Sequence, residues 1–185
     1  MIDRLIARIA RSLDNEKVPY MIIGGQAVLL YGRPRLTRDI DITLGVDTNR
    51  FEAAARVCAD SGLEIRPAKP EAFAAETGVL PAQDVASRMR VDFIFSFTPY
   101  EQQALSRTRQ VDLDGYAVRF ASCEDVIVHK MVAGRAIDEE DVKSMLLKNK
   151  DSLDCQYIRK WLAEFGKISE YSEVLQRFED LLKLI

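Results

Sequence analysis

The chain has 185 residues, 48% of them hydrophobic and 30% charged, with a formal net charge of −3. That length suits one domain, or one domain with a small helical appendage, and the charge excludes a general nucleic-acid binder working by bulk attraction to phosphates. No apolar run approaches membrane-spanning length, Met1-Ile2-Asp3-Arg4 does not start a signal peptide, and Cys58, Cys123 and Cys155 lack any CxxC spacing, so the reading is a cytoplasmic protein with reduced thiols, no zinc site and no membrane.

Residues 2–15 place Ile2, Leu5, Ile6, Ile9 and Leu13 at helical spacing, an amphipathic helix. Tyr20-Met21-Ile22-Ile23 reads as a short buried strand closed by Gly24-Gly25. Residues 26–31 read as a short helix and Gly32-Arg33-Pro34 as a turn. A second strand is expected over residues 39–46. Alternate side chains of a strand share a face, so Asp39 and Asp41 point one way while Ile40 and Ile42 point into the core. Their carboxylates, about 7 Å apart along the strand, repel unless a cation sits between them. A Gly-Gly turn opening a helix offers bare backbone N–H groups to an anion such as a phosphate. Metal on one side and phosphate on the other is the layout of a nucleotidyl-transfer site. Arg33, Arg35 and Arg38 cluster beside it, either as a solvated loop or as phosphate or substrate contacts.

Residues 48–61 have a helical pattern with Thr48 as N-cap and Gly62 as the stop. A short strand is expected next, over 63–66. The stretch 67–83, with Pro67, Pro70, Gly78 and Pro81, reads as a partly helical insertion. Residues 90–96 form a third strand that carries Asp92 on one face and Val91, Phe93 and Phe95 on the other. Such an aspartate either faces solvent or is aimed at something. A helix over 99–107 precedes a hairpin over 111–120, turning at Asp114-Gly115. Ser122-x-x-Asp125 caps an apolar helix. If that helix is continuous, Lys130 and Asp138 lie close to one face, and Arg135 and Asp138 make an i, i+3 pair. His129, the only histidine, points about 100° away from Lys130 on a helix and reads as structural. Residues 153–185 form two amphipathic helices in which Trp161 reads as core rather than as a base-stacking platform.

Apolar-Gly24-Gly25, a spacer, then Asp39-Ile40-Asp41, resembles the signature of the nucleotidyltransferase superfamily with the DNA polymerase β-type fold. Arg35-x-Thr37-x-Asp39-Ile40-Asp41, and the later run of Lys130, Ala133-Gly134-Arg135 and Asp138-x-x-Asp141, are similar to the AbiEii/AbiGii-type toxin branch and its small bacterial relatives. The resemblance implies an α/β fold: a short mixed sheet backed by helices, in a core over 1–121, with a helical C-terminal region over 122–185 packed on it. It implies a metal-dependent enzyme that moves a nucleoside monophosphate from a nucleoside triphosphate to an acceptor and releases pyrophosphate. Asp39, Asp41 and Asp92 would be the catalytic carboxylates and the ligands of Mg²⁺ or Mn²⁺. Gly24 and Gly25 would hold the triphosphate, and Lys130 would balance its charge. Arg35 and Arg38 would contact phosphates or acceptor, and Thr37 would cap the turn. Arg135, Asp138 and Asp141 would either support Lys130 through salt bridges or make direct contacts. The acceptor is a tRNA, a protein or a small molecule. The branch suggests the toxin of a toxin–antitoxin or phage-defence pair with a cognate antitoxin as partner. The alternatives are an antitoxin-like module or a non-catalytic nucleotide-binding module acting through a protein partner.

Overall fold

A computed structural model of the chain describes residues 2–184. Met1 and Ile185, the end of the second expected C-terminal helix, lie outside the described residues. The chain divides into two compact units. One runs through Gln26 and resumes over Thr37–Ala121, and the other combines Ala27–Leu36 with the residues from Ser122 onward.

In the first unit, α1 (Ile2–Asn15) buries the expected stripe of Leu5, Ile6, Ile9 and Leu13. Strand β1 (Tyr20–Ile23) is buried along its whole length, and helix α2 (Gly24–Tyr31) leads the chain out of this unit. The chain returns into β2 (Asp39–Leu44). Asp47, not Thr48, is the N-cap of the next segment. Its side chain accepts from Asn49 N–H, and one 3₁₀ turn (Thr48–Arg50) leads into α3 (Phe51–Asp60). Strand β3 (Leu63–Ile65) and helix α4 (Pro70–Thr77) come next.

Strand β4 (Val79–Asp84) was not expected, because Pro81 breaks the strand signal there. The register explains how proline is tolerated. Ile65 is opposite Ala82, and Arg66 N–H donates to the Pro81 carbonyl at 3.0 Å. The missing N–H of Pro81 therefore faces the point where the three-residue β3 stops. Beyond β5 (Arg90–Phe95) and α5 (Pro99–Ser106), β6 (Arg109–Leu113) and β7 (Tyr116–Phe120) form the expected hairpin. Asp114 and Gly115 both have positive φ, 52° and 75°, as a two-residue type I′ turn needs.

Among the described residues the strands make one mixed seven-stranded sheet in the order β3-β4-β5-β2-β1-β7-β6. At its centre β2 lies antiparallel to β1 and parallel to β5. The apolar side chains of these strands, including Ile22, Ile40, Ile42, Leu44, Val91 and Phe93, are buried.

The second unit is helical. Helix α6 (Cys123–Ala133) starts at the predicted Ser122 cap, whose hydroxyl accepts from Asp125 N–H. It does not continue through Asp138. Gly134 takes the left-handed conformation (φ 65°), its N–H closing on the Lys130 carbonyl, and α7 (Ala136–Asn149) begins afresh. Helices α8 (Cys155–Phe165) and α9 (Val174–Leu182) complete the unit. The last expected helix is shorter than its pattern, because Ser169–Tyr171 forms a separate 3₁₀ turn. Trp161 is half-buried rather than core, with Lys160 Nζ 4.8 Å from its ring centre. Among the described residues no helix is long and apolar enough to cross a membrane.

Candidate active site

Asp39 and Asp41 stand on one face of β2 because its alternate residues, Ile40, Ile42 and Leu44, go into the core. The parallel register with β5 then sets Asp41 directly opposite Asp92 and Asp39 opposite Arg90. Neighbouring strands are about 4.8 Å apart, so three carboxylates from two sequence segments share one small patch of sheet. Asp39 and Asp41 are half-buried and Asp92 is buried.

On the other side of β2, Asp41 is opposite Ile23 at the end of β1, immediately before the two glycines. Gly24 has φ 61°, and a Cβ there would stand 2.0 Å from Asp41 Oδ2. At Gly25 a Cβ would stand 2.5 Å from Thr37 Oγ1. Both glycines are needed simply to let Asp41 and Thr37 approach the start of α2. The Thr37 hydroxyl is placed to donate to Asp39 Oδ1 at 3.1 Å, and the buried Gln26 donates its side-chain N–H to the Asp39 carbonyl at 3.2 Å. Thr37 thus orients a carboxylate, beyond the turn-capping role its sequence context suggests.

The sequence pattern alone did not single out Arg90. Its guanidinium lies on Asp92, with Nε 3.0 Å from Oδ1 and Nη2 2.7 Å from Oδ2. The hydrogen bond and attraction of Asp92, with the fields of Asp39 and Asp41 behind them, hold Arg90 above its ordinary pKa. The available signal was its i, i+2 spacing from Asp92, which puts both on one strand face. Arg38, in the same unit, is exposed next to Asp39.

Lys130 and Arg35 belong to the helical unit, and both meet Asp141. Lys130 Nζ is 2.7 Å from Asp138 Oδ1 and 2.9 Å from Asp141 Oδ2. Arg35 is bidentate on Asp141 at 2.9 Å for each bond, and Arg135 Nε reaches Asp138 Oδ2 at 2.6 Å. Lys130, Asp138 and Asp141 are all buried. Burial pushes the two carboxyls up. The hydrogen bonds of Arg135 and Lys130 on Asp138, and of Arg35 and Lys130 on Asp141, outweigh it and hold both below their ordinary value. Of the two roles open to Arg135, Asp138 and Asp141, the salt-bridged support of Lys130 matches this geometry.

Among the described residues no group of three or more His, Cys, Asp or Glu side chains is arranged to hold a metal ion by itself. The donor set on the sheet nevertheless fits a hard cation of the Mg²⁺ type, which takes one or two carboxylates and completes its shell with phosphate oxygens. Asp39, Asp41 and Asp92 each carry carboxylate oxygens, those of Asp39 and Asp41 at half-buried positions and those of Asp92 under the Arg90 guanidinium.

Glycines at a helix start and three carboxylates on adjacent strands match the resemblance to nucleotidyltransferases, and comparison with known families agrees. A model of a family described as nucleotidyltransferase of unknown function (DUF6036) matches residues 1–182. The chain is a member of that nucleotidyltransferase family. No curated protein sequence matches the enzyme. Among solved structures, the solution structure of the antibiotic-resistance factor ANT(2″)-Ia aligns with a TM-score of 0.61 at 19% identity, covering 96% of this chain and 97% of that one. An antigenic nucleotidyltransferase-like protein from Paracoccidioides brasiliensis aligns at 0.56 and 16% identity, covering 95% and 92%. JHP933 from Helicobacter pylori aligns at 0.51 and 17% identity, covering 98% and 79%. At these identities the likeness is one of fold, and it confirms the expected mixed sheet with a helical C-terminal region.

Proposed function

We propose that the enzyme transfers a nucleoside monophosphate from a nucleoside triphosphate to an acceptor hydroxyl at the Asp39, Asp41 and Asp92 face. The observation that carries this is the β2–β5 register, which brings Asp92 level with Asp41 across adjacent strands. An ordinary solvent-facing aspartate does not need that placement.

In this reading Asp39 and Asp41 hold Mg²⁺ or Mn²⁺ together with oxygens of the triphosphate. The bound cation supplies Lewis-acid polarisation and neutralises charge at the transferring phosphorus. Gly24 and Gly25 present backbone N–H groups to the phosphates. Thr37 keeps Asp39 aimed, and Arg38 is placed to meet phosphate or acceptor. The acceptor oxygen forms a bond to the α-phosphorus, the α–β anhydride bond breaks, and pyrophosphate leaves. Asp92 adds a carboxylate oxygen to the cation site or takes the acceptor proton, directly or through water. Lys130 serves as the buried tie of Asp138 and Asp141, and Arg35 as the anchor of its loop to Asp141.

The test is transfer of label from each of four α-³²P-nucleoside triphosphates with Mg²⁺, offered to tRNA, to cell lysate and to small hydroxylated molecules. Aminoglycosides belong in that panel because ANT(2″)-Ia has been solved with adenylyl-2″-tobramycin. Label that appears with the native chain and vanishes in both Asp39→Ala and Asp41→Ala establishes the reaction and its acceptor class. Label that persists in either variant refutes the assignment. A toxin role predicts growth arrest on expression, lost in Asp39→Ala and relieved by a co-expressed antitoxin.

A further inference from the structure

Arg90 is a charged side chain on the carboxylate face that has no part in the proposed reaction. Its side chain is 62% exposed, yet it does not lie free in solvent, because its guanidinium grips both oxygens of Asp92. The backbone dictates this. Residues 90 and 92 share a face of β5, and the parallel register puts Arg90 level with Asp39 and Asp92 level with Asp41. Carboxylates crowded onto one face repel each other. A guanidinium among them offsets that repulsion. The same grip also occupies lone pairs of Asp92 that a hard cation would need.

Resting on the nucleotidyl-transfer reading, we propose that Arg90 is an internal counter-cation that holds Asp92 in the nucleotide-free enzyme and passes to the nucleotide's phosphates when a cation arrives with them. A guanidinium suits both stations, since its planar fork matches carboxylate and phosphate oxygens alike. The exposed, flexible stem gives it freedom to change partner. The consequence is a coupling: free divalent cation meets an engaged Asp92, whereas cation bound with nucleotide offers Arg90 a replacement partner. Coupling of this kind is reciprocal, so nucleotide and cation each strengthen the other's binding.

The experiment is Mn²⁺ binding to the full chain, read by electron paramagnetic resonance, with and without a non-hydrolysable nucleoside triphosphate analogue. Without the analogue, Arg90→Ala should bind Mn²⁺ about fivefold more tightly than the native chain, as expected for removing a partly exposed ion pair. With it, the order should reverse, and the variant should bind the Mn²⁺–analogue complex about tenfold more weakly. Arg90→Lys, which keeps the charge but not the fork, should fall between the two in both conditions. Its melting temperature, with that of Arg90→Ala, checks that the fold is kept. If Arg90→Ala binds free Mn²⁺ no more tightly than the native chain, or binds the complex equally well, the proposal is overturned. Asp41→Asn separates the two levels. If it loses the complex while Arg90→Ala behaves as native, the site stands and the role of Arg90 falls. If it binds the complex like the native chain, the site itself is misassigned.

Discussion

Two regions of this enzyme gather aspartates around basic side chains, and they differ in how far they bury them. On the sheet, Asp39 and Asp41 are half-buried and share their face with the largely exposed Arg90. In the helical unit, Asp138 and Asp141 are buried and each is gripped by Lys130 and by an arginine. Ions removed from water must be matched by close partners or they cost several kcal/mol each. The helical cluster carries its partners within its own fold. On the sheet, Asp39 and Asp41 stay within reach of solvent, and under the proposed function an incoming cation and phosphate alter the balance there. The lesson is that two clusters of acidic and basic side chains differ in burial, and burial is what variants of each cluster put to the test.

The sharpest way to break that contrast is to neutralise each cluster in turn. Asp39→Asn and Asp41→Asn should each lower transfer by about 10³-fold or more, the scale of losing a group that stabilises transition-state charge. Stability should stay within about 1 kcal/mol, because surface-accessible changes rarely exceed that. Urea denaturation alongside the label assay checks both halves. Loss of folding in these variants would make the sheet cluster structural after all.

Lys130→Met should show the converse. Leaving two buried carboxylates short of a partner should cost about 3–5 kcal/mol, read as a shift in the urea midpoint. The acid limb sharpens this. Asp138 and Asp141 titrate below their ordinary value in the folded chain, so their contribution is complete above about pH 4 and is lost as pH falls through the lowered folded values. The native chain should therefore lose stability steeply below about pH 4, and Lys130→Met should show a shallower slope. An unchanged slope would mean that Lys130 does not set those carboxyls.

Gly24→Ala and Gly62→Ala form a matched pair. Both glycines have φ near 60°, at 61° and 63°, but a Cβ meets Asp41 at Gly24 and nothing within 4 Å at Gly62. Each should lose about 1–2 kcal/mol of stability to the left-handed backbone, while only Gly24→Ala should lose transfer, by about 10²-fold, through displacement of a positioned group. Equal activity in the two variants would remove the glycine from the site. The smallest effect is expected for Thr37→Val, which deletes the hydroxyl bonded to Asp39. A hydrogen bond to a charged group of about 1.5 kcal/mol corresponds to roughly a tenfold fall in kcat. The KM for nucleotide should be nearly unchanged.

Much of this could be seen in the sequence. Local periodicity located α1, β1, β2, β5, α5 and the β6–β7 hairpin, because their apolar patterns are short-range consequences of the pleat or the helical turn. The Gly24-Gly25 and Asp39-Ile40-Asp41 spacing marked the candidate site through its resemblance to a known family. Strand β4 escaped because Pro81 contradicts local strand preference, and only the early end of β3 makes it harmless. Whether one helix ran from Ser122 through Asp138 was left open by the sequence, and the left-handed Gly134 decides that it does not.

What residues alone determined was which side chains share a face: Asp39 with Asp41, Arg90 with Asp92, and Ile40 and Ile42 with the core. Those relations arise from a two-residue repeat and need no partner strand. Only the tertiary structure decided that Asp41 lies level with Asp92, that Gly24 must be bare to admit Asp41, and that Lys130 closes a buried network across the turn at Gly134. Register between distant strands and the pairing of buried charges depend on long-range packing, which no local pattern encodes.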